Sequence, residues 1–425
     1  MHHRRGTDCE ANPIFYACRM PRLLIINDTL DHGNWGSQAC AEGLRQILRA
    51  EVPNAELDIV PSKWIGQRYR FDPHYKGKRI FKKPGALNRH LFAEHQVLPE
   101  VADEFETVAD LWQQGRGGKG AAEFEAKLRG VDAVVFNAEG STYRVNFTAI
   151  KSLYLLWLAK TRYGLPSFFL NGSVTLTDVE AVLPGMVRKV FTSIDAATVR
   201  EPNSLRIVRD WVPDADVKLV PDSVFHLGLP AAGAESPAHA WLRSELGDAP
   251  YFCFSLSMLP SDLRRWRGAS ATCELIRRLK ERVPNAVLMA RDRKDQYLRQ
   301  VAEETGSLFL GKRFSYEDVM TVVGGAAFLW SGRYHHIIMA TMMGTPSIPM
   351  MSTSPKVQGL CQLLGDVIVP PFDPTDLRPH LDAATQAVDQ ALSGGEALRE
   401  RLRKRAEQLR PQTALMGQLV NEGLR

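Results

Sequence analysis

The chain has 425 residues, of which 44% are hydrophobic and 24% are charged. A chain of this length exceeds the size at which one hydrophobic core normally keeps growing, so the sequence predicts two domains. It contains no run of about 18 uncharged apolar residues, which argues against a membrane-spanning helix, and its six scattered cysteines form no CxxC pair, which argues against a zinc site and a disulfide framework.

Most of the positive charge lies in one segment. The formal net charge is +5, but residues 63–89 hold nine lysines and arginines against one acid, Asp72, with aromatic residues between them. Such a segment can contact a phosphorylated substrate, an anionic membrane surface or a nucleic acid, and it can also be a solvated insertion without a partner. We take peripheral membrane contact as a candidate role and expect no nucleic-acid partner.

The first half of the chain alternates short apolar runs with amphipathic stretches. Predicted strands lie at 23–27, 56–60, 132–137, 166–172 and 196–200, and predicted helices lie at 36–50, 150–163 and 179–193. This alternation is typical of a parallel sheet with crossover helices. We therefore predict a disordered extension at 1–19 and a doubly wound α/β domain over residues 20–228, with a basic insertion at about 62–128.

The second half repeats the pattern after a stretch rich in Pro, Ala and Gly, which predicts a linker at 229–250. Further strands are predicted at 251–257, 285–291, 307–311, 326–330 and 346–350, with helices between them. We predict a second doubly wound domain over 251–373, followed by helices over 374–425. Two such domains bind ligands in the cleft between them, near the carboxyl ends of their strands.

Two glycine-containing loops follow predicted strands of the first domain. In NDTLDHGNWGSQA, Gly33 and Gly36 allow a tight turn before a helix, whose first backbone amides form a positive pocket for an anion. In NAEGSTY, Gly140 permits close backbone approach and Ser141 offers a hydroxyl. Any tight turn also uses glycine, but both loops are predicted to face the cleft.

Arginines follow predicted strands in both halves. Arg200 ends AATVR, and Arg291 ends NAVLMAR. At the carboxyl end of a parallel strand a planar guanidinium points toward the cleft, where it can bind a carboxylate or phosphate bidentately. For Arg200, pairing with Glu201 or another neighbouring acid is the structural alternative. Asp222, which also follows a strand, can either orient a cation or cap the next turn.

The segment SGRYHH, residues 331–336, joins an apolar strand to an apolar helix. It places Arg333 and two histidines at the first turn of the helix, where the dipole favours an anion. His335 and His336 are adjacent and point to different faces, so at most one of them is expected to reach the cleft. The arginine two residues earlier and the position at a strand end favour a catalytic role for His335.

Two other motifs match known patterns without the structural context that the patterns require. GRGGKG at 115–120 fits the dinucleotide-binding GxGxxG, but it follows a predicted helix rather than a strand. DAD at 214–216 resembles the metal-binding DxD of some sugar transferases and fits an ordinary turn better. We predict no metal site and no cofactor.

At these residues the chain resembles the polysaccharide pyruvyl transferase family. SGRYHHIIMATMMGTPSIPM is similar to the family's late Ser-x-Arg-x-His motif with its following Gly-x-Pro, and SPKVQGL, which contains Lys356, is similar to Pro-Lys-x-x-Gly. The loop with Gly33 and Asn34 resembles Gly-Asn-x-Gly-Asp, NAEGSTY resembles a Gly-rich second loop, VREPNSL resembles Arg-Asp/Glu-x-x-Ser, and VPDSVF resembles a Pro-Asp turn. Order and spacing agree from about residue 25 to 365.

The resemblance implies two facing Rossmann-like domains, as in B-type glycosyltransferases, and transfer of a pyruvyl group from phosphoenolpyruvate to a sugar of a polysaccharide or its lipid-linked precursor. His335 would be the general acid that protonates the enol methylene. The implied substrate-binding residues are Arg200, Arg333, Arg291, Ser331, Gly33, Asn34, Gly140, Ser141 and Lys356. No metal or redox cofactor is implied, and the enzyme is expected in the cytoplasm or at the inner face of the membrane.

Two departures from the family pattern concern the first domain. Ser37 stands where the family commonly has an acidic residue, and NAEG replaces a run of glycines, so an unusual acceptor is expected. The basic insertion is not explained by the resemblance. A nucleotide-sugar glycosyltransferase with the same fold and a non-catalytic anion-binding protein are the alternatives, and an NAD-dependent oxidoreductase is supported only by residues 115–120.

Overall fold

A computed structural model describes residues 20–65, 68–71, 93–142, 145–175, 182–230, 236–256, 269–290, 297–352, 354–373 and 381–425. The predicted extension at 1–19, most of the basic segment 63–89 and Arg291 lie outside these ranges. The predictions made for them stay predictions. Within the described ranges, no helix has the length and apolar character needed to cross a bilayer.

The first half of the chain forms a six-stranded parallel sheet with the order β2-β1-β5-β6-β7-β8. Its strands are β1 (Arg22–Asp28), β2 (Glu56–Pro61), β5 (Ala133–Asn137), β6 (Ser167–Gly172), β7 (Ala196–Val199) and β8 (Val217–Leu219). The central strands β1 and β5 are continuous apolar runs that are buried almost throughout, as expected of strands covered on both faces. A separate parallel pair joins β3 (Arg68–Phe71), inside the basic segment, to β4 (Ala93–Leu98), which follows it.

The second half forms a five-stranded parallel sheet with the order β11-β10-β9-β12-β13. Its strands are β9 (Tyr251–Ser255), β10 (Asn285–Met289), β11 (Leu308–Leu310), β12 (Leu329–Ser331) and β13 (Ser347–Pro349). The strand predicted at 326–330 begins later, because Ala326 ends the preceding helix as its C-cap. It also extends to Ser331, so the SGRYHH segment starts inside the strand.

Helices connect the strands and cover both sheets. They are α1 (Trp35–Glu51), α2 (Ser62–Ile65), α3 (Phe105–Gln113), α4 (Lys119–Leu128), α5 (Phe147–Tyr163), α6 (Val182–Phe191), α7 (Pro202–Trp211), α8 (Pro237–Leu246), α9 (Ala269–Lys280), α10 (Tyr297–Thr305), α11 (Tyr316–Gly325), α12 (Tyr334–Met343), α13 (Lys356–Leu364), α14 (Leu381–Ser393), α15 (Gly395–Leu409) and α16 (Leu415–Gly423). Helix α8 lies inside the predicted linker, where Ser236 caps it and Pro237 occupies its first turn.

Apolar contacts join the two halves. One hydrophobic cluster includes Trp35 of α1, Phe225 beyond β8 and Ile337 of α12, and the Trp35 indole donates a 2.7 Å hydrogen bond to the carbonyl of Phe314. The end of the chain adds a second connection. Helix α15 packs against α12, and α16 returns to α1 of the first half, where Gly417 lies against Ile47.

The strand order reverses once in each sheet, between β1 and β5 in the first and between β9 and β12 in the second. In open parallel sheets, ligands bind outside the carboxyl ends of the strands at this reversal. The loops that follow β1 and β5 carry Asn34 and Gly140, and the helix that follows β12 carries His335 in its first turn, so both reversals present predicted site residues. The predicted architecture of two doubly wound, Rossmann-like α/β domains is confirmed.

Candidate active site

Arg200 follows β7 and is completely buried. Its Nε donates to Ser173 Oγ at 2.9 Å and its Nη1 donates to Asp222 Oδ2 at 2.6 Å, while the guanidinium lies 4.6 Å above the ring of Tyr334. Burial opposes the charged form, but the carboxylate of Asp222 outweighs it and raises the pKa of Arg200. Nη2 is also buried and has no hydrogen-bond partner among the described residues.

Asp222, which follows β8, is the acid that pairs with Arg200. Burial would raise the pKa of this carboxyl, but Arg200 and His335 hold it well below its usual range. Its Oδ1 also accepts a 2.9 Å hydrogen bond from the amide of Val224. The adjacent acid Glu201 has a different role, because its carboxylate caps α7 by accepting the amide and hydroxyl protons of Ser204.

His335 lies in the first turn of α12 and reaches across to the first domain. Its Nε2 is 3.2 Å from Arg200 Nη1 and 3.5 Å from Asp222 Oδ2. Its ring packs directly on Gly36, where an added Cβ would lie 2.3 Å from His335 Nδ1. Glycine at position 36 therefore makes room for the imidazole. Asp222 is placed to orient the ring.

The loop before α1 supports the contact between Gly36 and His335, because Asn34 of this loop is the N-cap of α1. The Asn34 side chain accepts a 2.9 Å hydrogen bond from the amide of Gly36, which fixes the start of α1 beside His335. Gly33 is exposed, and an added Cβ there would meet nothing within 4 Å. The structure therefore links Asn34 to the cluster and leaves Gly33 at the edge of the described site.

His336 faces the interior of the second domain. Its Nδ1 is 2.9 Å from the hydroxyl of Ser255, which is 2.8 Å from that of Ser331. Burial, together with Arg333 and His335, lowers the pKa of His336 to about 3. This imidazole is therefore neutral near pH 7 and cannot serve as a proton donor of ordinary acidity.

Ser331 connects the hydroxyl of Ser255 to the backbone of the SGRYHH turn. The fully buried Ser331 hydroxyl accepts a 2.9 Å hydrogen bond from the amide of Arg333, whose Nε donates to the carbonyl of Leu256 at 2.8 Å. Ser331 thus holds the turn, and Arg333 is half-buried at its start. The prediction that both residues bind substrate is not tested by these contacts.

A second cation approaches Arg200 from α13. An added Cβ on Gly140 would lie 3.6 Å from Arg200 Nη2 and 3.8 Å from Lys356 Nζ, so both nitrogens face the same glycine. Burial, followed by the charge of Arg200, lowers the pKa of Lys356 to about 8. The neighbouring Ser141 hydroxyl donates to the carbonyl of Ala138 at 2.5 Å and so closes its own turn. Gly140, Arg200 and Lys356 thus define a small cationic pocket.

Three site residues were not singled out from the sequence. Ser173 anchors Arg200, Tyr334 stacks under it, and Glu139 accepts a 2.7 Å hydrogen bond from Ser37. Ser173 comes directly after β6, so the strand-end argument used for Arg200 applies to it as well. Tyr334 contacts Arg200 and Glu139 contacts Ser37 across long sequence separations, and no local pattern predicts these two contacts.

Cys40, Asp222 and His335 place one potential metal-ligand atom each within 4.8 Å of one another. In the described part of the chain this is the group that could hold a metal ion. The Arg200 guanidinium already donates to Asp222 and contacts His335, so the carboxylate is neutralised by arginine. Burial, together with Asp222 and Glu139, raises the pKa of the Cys40 thiol well above its usual value, so the thiolate that a metal prefers is disfavoured.

Solved structures with the same fold cover nearly the whole chain. The Medicago truncatula protein UGT71G1 with UDP-glucose is similar at a TM-score of 0.52 and 12% identity, over 96% of this chain and 99% of that chain. Anabaena Alr3699/HepE with UDP-glucose is similar at a TM-score of 0.55 and 14% identity, over 94% of this chain and 99% of that chain. UDP-GlcNAc 2-epimerase from Neisseria meningitidis with UDP-GlcNAc is similar at a TM-score of 0.51 and 9% identity, over 95% of this chain and 99% of that chain. At these identities the likeness shows the fold alone.

Sequence comparison gives the more specific result. Curated proteins yield no match. The sequence profile of the family described as polysaccharide pyruvyl transferase matches residues 34–354, which is most of the chain and includes the predicted motifs from Asn34 to SGRYHH. The chain therefore belongs to the polysaccharide pyruvyl transferase family and is a transferase enzyme.

Proposed function

We propose that this enzyme transfers a pyruvyl group from phosphoenolpyruvate to two hydroxyls of a sugar, forming a pyruvate ketal and releasing phosphate. The observation that carries the proposal is the pocket of Gly140, Arg200 and Lys356. A buried guanidinium nitrogen that lacks a described partner costs free energy, and an anionic ligand would remove this cost. A carboxylate or phosphate oxygen at Gly140 would contact Arg200 Nη2 and Lys356 Nζ together.

The chemistry fits the residues around this pocket. A ketal forms after a proton adds to the enol methylene of phosphoenolpyruvate, because C2 then becomes cationic and open to attack by a hydroxyl. His335 is the proton donor in this proposal, since His336 is held neutral and faces away. Arg200, Lys356 and Arg333 bind the carboxylate and phosphate, and Asp222 orients the His335 ring.

A thermal-shift titration tests donor binding. Purified protein is titrated with phosphoenolpyruvate, UDP and NAD in parallel, and the titration is repeated on Arg333→Ala. We expect phosphoenolpyruvate alone to raise Tm, by an amount that grows with the logarithm of its concentration above Kd, and the increase to be reduced in the variant. Stabilisation by UDP instead would contradict the proposal.

The low pKa of Lys356 predicts a pH dependence of donor binding. The ammonium is present below about pH 8 and is lost as the pH rises through this value. We therefore expect the Kd for phosphoenolpyruvate to be nearly constant below the pKa and to rise by up to about tenfold per pH unit above it. Isothermal titration at several pH values measures this effect. Lys356→Arg should abolish the alkaline loss, and an equal loss in that variant would refute the assignment.

A nucleotide-sugar glycosyltransferase is the second candidate, because the structures reported above with the same fold contain UDP-glucose or UDP-GlcNAc. The UDP arm of the titration separates the two.

We also propose that the enzyme acts in the cytoplasm, which the free thiols of Cys40, Cys253, Cys273 and Cys361 support. Contact with an inner membrane face through residues 63–89, bringing the enzyme to a lipid-linked acceptor, remains part of this proposal.

A further inference from the structure

The proposed reaction also needs a group that takes a proton from the acceptor hydroxyl, and the acids around Arg200 are not equally available for this. Asp222 is held by Arg200 and by the amide of Val224. Glu201 is held by the amide and hydroxyl of Ser204. Both are completely buried in these contacts. If Asp222 left these contacts, the buried Arg200 would lose its counterion. If Glu201 left them, the first amides of α7 would lose their cap.

Glu139 differs from both acids. It is half-buried, follows β5 and immediately precedes Gly140, which faces Arg200 and Lys356. Its Oε1 accepts a 2.7 Å hydrogen bond from Ser37 Oγ, and no described Lys, Arg or His lies within ion-pair distance of it. Ser37 is next to Gly36, which packs on His335. Glu139 is therefore adjacent in sequence to the cationic pocket and bonded to a neighbour of the glycine that packs on His335.

The backbone of Glu139 is also unusual. Its φ is +44°, in the left-handed region. The other described non-glycine residues with positive φ are Asn27, Asn54 and Asn171, and asparagine tolerates this region far better than glutamate does. A backbone amide directly after β6 holds the conformation, because Ser173 N donates to the Glu139 carbonyl at 2.7 Å. A strained residue that glycine would relax points to a function for the side chain.

We infer that Glu139 is the catalytic base of the acceptor side, accepting the proton of the first sugar hydroxyl as its oxygen attacks C2 of the pyruvyl group. This inference rests on the proposed function. The C2–O bond forms as the O–H bond breaks, and the proton moves to a Glu139 oxygen. When the C2–O bond to phosphate breaks, this proton leaves with the phosphate. The second hydroxyl then attacks C2 and returns to His335 the proton that His335 gave to the methylene.

The test compares Glu139→Gln and Glu139→Gly with wild type. Phosphate release from phosphoenolpyruvate is measured with a panel of methyl and aryl glycosides of glucose, galactose, mannose and N-acetylglucosamine. We expect both variants to lose about 10²–10⁴-fold in kcat, the range of general-base catalysis. The Kd for phosphoenolpyruvate should stay the same or fall, because a negative charge is removed beside the cationic pocket of Gly140, Arg200 and Lys356. Glu139→Gly should also have an unchanged or higher Tm, since the strain is relieved.

Two further variants sharpen the test. Asn54→Gly relaxes an exposed residue with φ +58° and serves as the control for strain relief, with full activity expected. Ser37→Asp combined with Glu139→Gly places a carboxylate on the other side of the Ser37–Glu139 hydrogen bond. We expect this double variant to recover at least about tenfold in kcat over Glu139→Gly, within the range attributed to a general base. A merely structural role of Glu139 would not be rescued in this way.

The outcomes separate this inference from the proposed function. Wild type that neither binds phosphoenolpyruvate nor releases phosphate with any glycoside would overturn the proposed function, and this inference with it. Active wild type together with Glu139→Gln of similar kcat would overturn the inference and leave the proposed function standing. A large rise in the Kd for phosphoenolpyruvate in Glu139→Gln would also overturn it, because the residue would then act on the donor.

Discussion

Replacing His335 with Gln is expected to lower kcat for pyruvyl transfer by about 10²–10⁴-fold, the contribution of a positioned general acid. In the proposed mechanism the imidazole beside Asp222 and Arg200 delivers a proton to the enol methylene, and glutamine cannot. The affinity for phosphoenolpyruvate should change little, because the proposal assigns the donor contacts to Arg200, Lys356 and Arg333. Steady-state kinetics, with a separate measurement of the donor Kd, distinguish the two effects.

His336→Gln is the matched control, because it changes the adjacent histidine of the same helix. His336 bonds to Ser255 inside the second domain, and Ser255 keeps its contact with Ser331 when His336 is replaced. The replacement should therefore act mainly on stability, by about 0.5–1.5 kcal/mol for one buried hydrogen bond. Transfer activity should survive. Full activity in His335→Gln together with its loss in His336→Gln would show that the two histidines have the opposite roles.

Arg200→Met is expected to abolish measurable donor binding and to destabilise the fold by about 3–5 kcal/mol. The destabilisation follows because Asp222 would remain fully buried without its cation. The double variant Arg200→Met with Asp222→Asn removes the unpaired charge and keeps a carbonyl oxygen for the amide of Val224. It should regain most of the stability without regaining donor binding.

Urea denaturation and isothermal titration measure these two quantities independently. A single variant that is destabilised and still binds phosphoenolpyruvate with the wild-type Kd would mean that Arg200 is only a structural ion-pair partner. If the double variant recovered donor binding as well as stability, the same conclusion would follow. The design thus separates the structural role of the Arg200–Asp222 pair from its role in the site.

The sequence predicted the fold well because the information is local. Apolar runs alternate with amphipathic helices over both halves, and Arg200, Asp222 and His335 each follow a strand, so their common location at the strand ends follows from topology. The pairing of Arg200 with Asp222 is different, because it depends on Glu201 being occupied as the cap of α7. That choice between two acids is made by tertiary contacts.

Other features of the site could not be read from the residues in order. His335 and His336 are adjacent and chemically identical, and their separate environments arise because one faces Gly36 and the other faces Ser255. The contact between Ser37 and Glu139 joins residues 102 positions apart. The return of α16 onto α1 likewise depends on the path of the last helices, which their amphipathic pattern does not specify.

The most direct test of the central claim is an NMR analysis of the product formed from phosphoenolpyruvate labelled with ¹³C at C2. The labelled donor is incubated with enzyme and the glycoside panel, with UDP-glucose supplied in a parallel reaction. We predict a new quaternary ketal carbon that carries a methyl group and is bonded to two sugar oxygens, together with an equal amount of phosphate. Unchanged phosphoenolpyruvate alongside glucosyl transfer from UDP-glucose would contradict the account.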